Sequence, residues 1–173
     1  MRTDHKETSE MIDKLMFPLA LTFALGALAA CGGEDATQTD ELATELCEHL
    51  ASGPSVAVTS STVAASAPDT STAHTRFDIA LTPGVAGQVS YQVGEAGEYV
   101  FAFDREVAVA LTDPSGAALP AEATERDSAA CAELKLWITY DLAIGKHTLA
   151  LGPGQDTEVR MVVEESGAEH THE

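Results

Sequence analysis

Two hydrophobic rhythms organise this chain after one uninterrupted apolar run. Residues 15–30 carry no charge, and as a helix they would span about 24 Å, short of a roughly 30 Å hydrocarbon core. Thr39 or Asp40 can then cap a helix. Its Leu42, Leu46, Cys47 and Leu50 recur at spacings of three and four, and Ser52, Gly53 and Pro54 end it. Beyond Pro54 the period becomes two. Val56 and Val58 begin it, followed by Phe77, Ile79 and Leu81, then Val89, Tyr91 and Val93, then Tyr99, Phe101 and Phe103. Further sets are Val107, Val109 and Leu111; Leu134, Leu136, Ile138 and Tyr140; Leu149 and Leu151; and Val159, Met161 and Val163. Gly and Pro punctuate these sets. Asp113, Pro114, Ser115 and Gly116 make a strong turn, and Glu95, Ala96 and Gly97 read as a hairpin. Residues 60–75, rich in Ser, Thr and Ala, read as partly loop, and 117–131 as an irregular acidic segment.

Seven to eight short strands with a single short N-terminal helix predict an all-β fold, an antiparallel β-sandwich. Six of the seven aromatic residues beyond residue 31 fall in the core phase. Trp137 has the opposite phase. Exposed there, it would suggest a surface contact with sugar or protein. It shares parity with Cys131, however, so burial under Leu46 and Leu50 is the simpler account.

The apolar run closes in Leu28, Ala29, Ala30 and Cys31, followed by Gly32, Gly33, Glu34 and Asp35. With small residues directly before a cysteine, residues 1–31 resemble a bacterial lipoprotein signal. The resemblance implies cleavage after residue 30, diacylglycerol on the Cys31 sulfur and acylation of the freed amine. Each buried CH2 contributes about 0.8 kcal/mol and one chain holds only marginally, so a multiply acylated cysteine is a lasting anchor. An ordinary secretory peptide cleaved at Ala29 and Ala30 is the alternative. Arg2, Lys6 and Lys14 are outnumbered by Asp4, Glu7, Glu10 and Asp13, so Met11 competes with Met1 as the start. Gly32 is not the Asp that retains lipoproteins at the inner membrane of enteric bacteria, which favours the outer membrane. Residues 1–30 are then the signal, 31–39 a lipidated flexible tether, 40–165 one helix-plus-sandwich domain and 166–173 a His/Glu tail.

Charge narrows the partners. Of nine Lys and Arg and 28 Asp and Glu, three and four respectively precede Cys31, leaving a net charge of −18 on the mature chain. Such a chain repels phosphate backbones, which disfavours nucleic acid, and no nucleic-acid partner is expected. Once Cys31 is lipidated, Cys47 and Cys131 remain as an even pair in an oxidising compartment and are expected to form a disulfide, with a free thiol pair or a Cys and His metal site as the alternative. Closing a loop of about 85 residues, it is worth roughly 4 to 5 kcal/mol in the chain-entropy model.

Residues 74–165 resemble bacterial pre-peptidase C-terminal domains, on Gly87, Val89 and Tyr91, on Gly97, Tyr99, Phe101 and Phe103, on Val109, Leu111, Asp113 and Gly116, and on residues 145–151. Such domains are jelly-roll-like accessory or adhesive modules beside secreted proteases, and the resemblance implies that form here. The chain departs from them in its added helix and in His147, where Tyr is common.

Chemistry-bearing residues are few. His170 and His172 lie two apart among carboxylates, a spacing that lets an extended chain offer both imidazoles to one Cu, Zn or Ni ion. Two ligands are too few, so a closed site needs Glu164, Glu165, His74 or a second molecule. His49 faces away from Cys47 at helical spacing, His74 has no ligand partner nearby in sequence, and His147 shares phase with Leu149 and Leu151 as a core imidazole. No nucleophile elbow, zinc-peptidase helix or phosphate loop occurs, and the acidic turns are too sparse for calcium. The expected function is a lipid-anchored, non-catalytic envelope binding or accessory module whose partner is an envelope protein or glycan. The alternative is a periplasmic or surface metal-binding lipoprotein using the His170 and His172 tail.

Overall fold

The computed structural model describes residues 35–166, with side chains from Glu41 onward. The expected signal, Cys31, and the tail residues His170 and His172 lie outside the described residues. Helix α1 spans Asp35–Ser52, and so begins within the stretch 31–39 expected as a tether. Neither Gly nor Pro interrupts 35–52, and its acidic start suits the helix dipole. Gly53 ends it, donating its N–H to the His49 carbonyl at 3.1 Å. A Cβ on Gly53 would come within 2.8 Å of that oxygen, which is why a glycine stands there. Among the described residues no helix is long and apolar enough to cross a membrane.

Ten strands follow among the described residues: β1 (Ser55–Thr59), β2 (Arg76–Ala80), β3 (Gly87–Val93), β4 (Gly97–Phe103), β5 (Val109–Thr112), β6 (Ala118–Leu119), β7 (Ala123–Arg126), β8 (Leu136–Leu142), β9 (Gly145–Leu151) and β10 (Glu158–Glu165). They form a six-stranded sheet, in the order β1-β2-β10-β4-β8-β7, and a four-stranded sheet, β3-β9-β5-β6. The result is a β-sandwich. Between the sheets lie Phe77, Ile79, Val89, Tyr91, Phe101, Phe103, Leu111, Ile138, Leu149, Met161 and others of the period-two sets, all buried. Burying each such side chain stabilises the fold by roughly 1.5–3 kcal/mol relative to exposure.

The structure departs from the sequence expectation at four places. There are ten strands rather than seven or eight, because β6 and β7 form inside the acidic segment 117–131. All four residues of β7 are exposed, so that strand carries no apolar rhythm. Glu95, Ala96 and Gly97 do not close a hairpin, since β3 and β4 belong to different sheets. One pairing is parallel: β1 runs alongside β2, which needs a long crossover. Residues 60–75 supply it as an ordered strap along the free edge of β3. Ser61 and Asp69 bridge to Gln88 and Ser90, and the Ser90 hydroxyl donates to the Ala67 and Pro68 carbonyls. Finally, Leu134 precedes β8 and packs outside the sandwich rather than with Leu136 and Ile138.

That outer cluster is the third layer. On β4, β8 and β10 the residues out of phase with the sandwich core are Val100, Ala102, Trp137 and Val162, and they are also buried. Ala43, Leu46, Cys47 and Leu50 of α1 cover them together with Leu134. Cys47 is joined to Cys131, with sulfurs 2.08 Å apart, so the helix is tied covalently to the segment entering β8. Trp137 is only 8% exposed beneath it. The surface contact with sugar or protein considered for this residue is therefore not available, because the helix occupies that face.

At the other end of the six-stranded sheet Asp104 is 3% exposed and fully engaged. It accepts from the Arg105 guanidinium at 3.0 and 3.1 Å, and from the Nε and backbone N–H of Arg160, both at 2.9 Å. Burial pushes this carboxyl up, but the hydrogen bonds from Arg105 and Arg160 outweigh it and hold the group below the usual carboxylate range.

Trp137→Ala should cost about 3–5 kcal/mol of stability, the usual loss for a buried aromatic, in urea unfolding of the oxidised protein. A loss under about 1 kcal/mol would mean that the helix layer is not packed through this side chain.

Candidate functional site

The helix places two polar side chains at the margin of its buried stripe. Glu45 and His49 are one turn apart and lie beside Leu46 and Leu50, with Glu45 Oε1 3.7 Å from His49 Nε2. Strand β10 delivers the third group. Val162 faces the helix, and strand periodicity therefore points Glu164 the same way, out of the sandwich core and toward α1. Its side chain is 2% exposed. The fourth group, His74, comes from the end of the strap before β2. Its φ is 51°, in the left-handed region that costs a non-glycine residue energy, and the strained backbone fixes where the ring stands.

These four converge. Glu164 Oε2 lies 3.2 Å from His74 Nδ1, and Glu164 Oε1 3.7 Å from His49 Nε2. Glu45 Oε1 is 4.0 Å from His74 Nδ1, and the two imidazole rings are 5.2 Å apart, centroid to centroid. One donor atom each of Glu45, His49 and His74 lies within 4.8 Å of the others. His74 is 46% exposed, so the cluster grades from a buried carboxylate to a solvent-facing ring.

Electrostatics set the protonation states. Burial raises the Glu164 carboxyl to about 7; the nearby His74 works against this, and the Glu45 carboxylate adds to it. Its Oε1 has no hydrogen-bond partner. Burial, and then the neighbouring His74, lower the pKa of His49, which favours the neutral imidazole with a lone pair to donate.

The cluster stands at the wall of an open cleft of about 530 Å3, which His74 and Glu164 line together with Tyr91, Tyr99, Glu95 and Glu165. Among the described residues no Lys or Arg lines it. Such a cleft attracts cations and repels anions.

His147 is not part of this site. It is fully buried opposite Tyr91 on β3, and its Nε2–H donates to the Ala143 carbonyl at 2.8 Å. His49, which has no partner in the sequence reading, and His74, named there with Glu164 only as a helper to the His170 and His172 tail, are brought together by the fold. The missed signal was joint: Glu45 and His49 share a helix flank, and Glu164 interrupts the apolar run of β10 in the phase that faces that helix. No known family model matches the sequence, and no curated protein matches it.

The raised Glu164 carboxyl has a defined consequence for stability. The unfolded group titrates near its ordinary value of 4.5 and the folded one near 7, so the folded state holds the proton more tightly. Stability from this group is present below pH 4.5 and is lost as pH rises through 7. Glu164→Gln should flatten that part of the stability profile of the metal-free protein between pH 5 and 7.5, measured by thermal unfolding. An unchanged slope would show that Glu164 titrates normally.

Proposed function

We propose that this protein is a lipid-anchored, non-catalytic binding module of the bacterial cell envelope whose ligand is a cation, received at the acidic, histidine-bearing end of the sandwich. The observation that carries the binding reading is Glu164. This buried carboxylate forms the wall of an acidic cleft, and its ion-pair partners among the described residues are two imidazoles rather than a Lys or Arg. A cation brought to it offsets a desolvation penalty that the two imidazoles compensate only in part.

Lipidated Cys31 supplies the membrane attachment in this reading, with the outer membrane as the favoured location. The bridge between Cys47 and Cys131 suits an oxidising compartment. A jelly-roll-like arrangement belongs to the same reading. The strand orders β2-β10-β4-β8 and β3-β9-β5-β6, with chain connections that mostly cross between the sheets, support it. The resemblance to pre-peptidase C-terminal domains supports an accessory role. Burial of Trp137 removes the aromatic platform on which a glycan contact rested, which leaves the charged cleft as the favoured face.

Three measurements test the two halves. In cells, globomycin should cause an uncleaved lipidated precursor to accumulate, and Cys31→Ala should move the protein from the membrane to the soluble envelope fraction; an unaltered band and fractionation would overturn the anchor. In solution, titration with spermidine at physiological salt should shift amide resonances of residues 71–74, 91–99 and 163–165. Shifts spread evenly over the acidic surface, or none at all, would overturn the cleft as the binding face.

A further inference from the structure

We propose that Glu45, His49, His74 and Glu164 form a binding site for one divalent transition-metal ion of the Zn(II), Cu(II) or Ni(II) class. The inference rests on the reading of this end as a cation-binding face and narrows the cation to one that forms coordinate bonds.

Distance is the first argument. Donors arranged tetrahedrally around an ion, at bonds of about 2.0–2.2 Å, lie about 3.3–3.6 Å from one another. Glu45 Oε1 lies 3.7 Å from His49 Nε2 and 4.0 Å from His74 Nδ1, and one donor atom each of Glu45, His49 and His74 lies within 4.8 Å of the others. Glu164 reaches the two imidazoles through different oxygens, Oε2 3.2 Å from His74 Nδ1 and Oε1 3.7 Å from His49 Nε2, so closing the four side chains on one ion takes a contraction of up to roughly 1 Å by side-chain rotation, with Glu164 entering through one oxygen.

Donor chemistry is the second. Two imidazole nitrogens with carboxylate oxygens suit Zn, Cu and Ni, whereas Ca and Mg take oxygen alone. The His49 ring is aimed at both carboxylates, with Nε2 3.7 Å from Glu45 Oε1 and 3.7 Å from Glu164 Oε1.

Glu164 itself is the third. It is 2% exposed, it lines the cleft beside His74, and its Oε1 accepts no hydrogen bond. Buried carboxylates with an unused oxygen are costly, and a coordinated ion engages that oxygen. The helix that carries Glu45 and His49 cannot drift from β10, because Leu46, Leu50 and the bridge at Cys47 lie between and beside those two residues. The site is thus held by the same contacts that build the third layer.

The test is calorimetric titration of Zn(II), Cu(II) and Ni(II) into the full chain carrying Cys31→Ala, so that no free thiol competes. Expected is one ion per chain at micromolar or tighter affinity, weakened at least about tenfold, or 1.4 kcal/mol, by His49→Ala and by His74→Ala. The double variant His170→Ala, His172→Ala should bind like the parent. No binding, undiminished binding in both single variants, or loss only in the tail variant would overturn the assignment. Unfolding is controlled by Cu(II) paramagnetic resonance. The parent should show coupling to two imidazole nitrogens, and the more conservative His49→Gln and His74→Gln variants to one each; two couplings retained in both would also overturn it. A cleft that takes spermidine while no metal binds would sink this inference alone and leave the broader reading standing.

Discussion

The outer layer of this molecule and the polar cluster at its margin depend on the docking of α1 across β4, β8 and β10. A sandwich buries one face of each sheet, and its outer faces meet water. Here Val100, Ala102, Trp137 and Val162 place apolar groups on the outer face of the larger sheet, and they are tolerable only beneath Leu46 and Leu50. The bridge between Cys47 and Cys131 acts on the same contact. It ties the helix to the chain just before β8, the strand that carries Trp137. Hydrophobic burial sets which face of the helix is inward, and the covalent link limits how far the helix slides along it. Those two constraints together leave Glu45 and His49 at the edge of the contact and opposite Glu164.

The third layer also governs how much could be read from the sequence. Where a strand is buried on one face, alternation is clean, and the sets on β2, β3 and β9 appear in the chain as they appear in the fold. Where it is buried on both, alternation fades: β4 reads Tyr99, Val100, Phe101, Ala102, Phe103, with its inner and outer residues both apolar. Phase remained legible there because the aromatics all took the inner side. The same phase rule foresaw Trp137 under Leu46 and Leu50. It failed for Leu134, which stands ahead of β8 and follows no strand phase. It also failed for β6 and β7, which pair through backbone hydrogen bonds while their side chains remain largely in water, so nothing in their sequence marks them.

The candidate site was illegible for a different reason. Its residues are separated by up to about 120 positions, and each alone has an ordinary explanation in its own element. A polar pair on a helix flank, a His in a Ser and Thr-rich loop and a Glu near a strand end become a site only when topology is known. The parallel crossover is the unforeseen step. By carrying residues 60–75 out to β3 and back to β2, beside β10, the chain brings His74 to Glu164. The tail residues His170 and His172 stand out in the sequence because they lie only two positions apart. Adjacency in sequence is the weaker of the two criteria for a binding site, since a site needs donors fixed in space.

Two carboxylates on the larger sheet show how the same residue chemistry is put to opposite uses. Asp104 and Glu164 are almost equally buried, at 3% and 2% exposure. Asp104 receives four N–H donors from two arginines, and the protein has satisfied its charge completely. A carboxylate in that state is a strut: any added ligand would have to break what already holds it. Glu164 instead faces His49 and His74, imidazoles whose ring nitrogens can also donate a lone pair to an ion, and its pKa rises where that of Asp104 falls. If burial alone were the purpose, a glutamine or an apolar residue at this position would be more stable and would pack under the helix equally well. A buried acid left with weak partners is a cost to the free protein, and such a cost is explicable where a ligand removes it. The contrast between the two groups, rather than the acidity of the whole surface, locates the function on the β10 side of the helix.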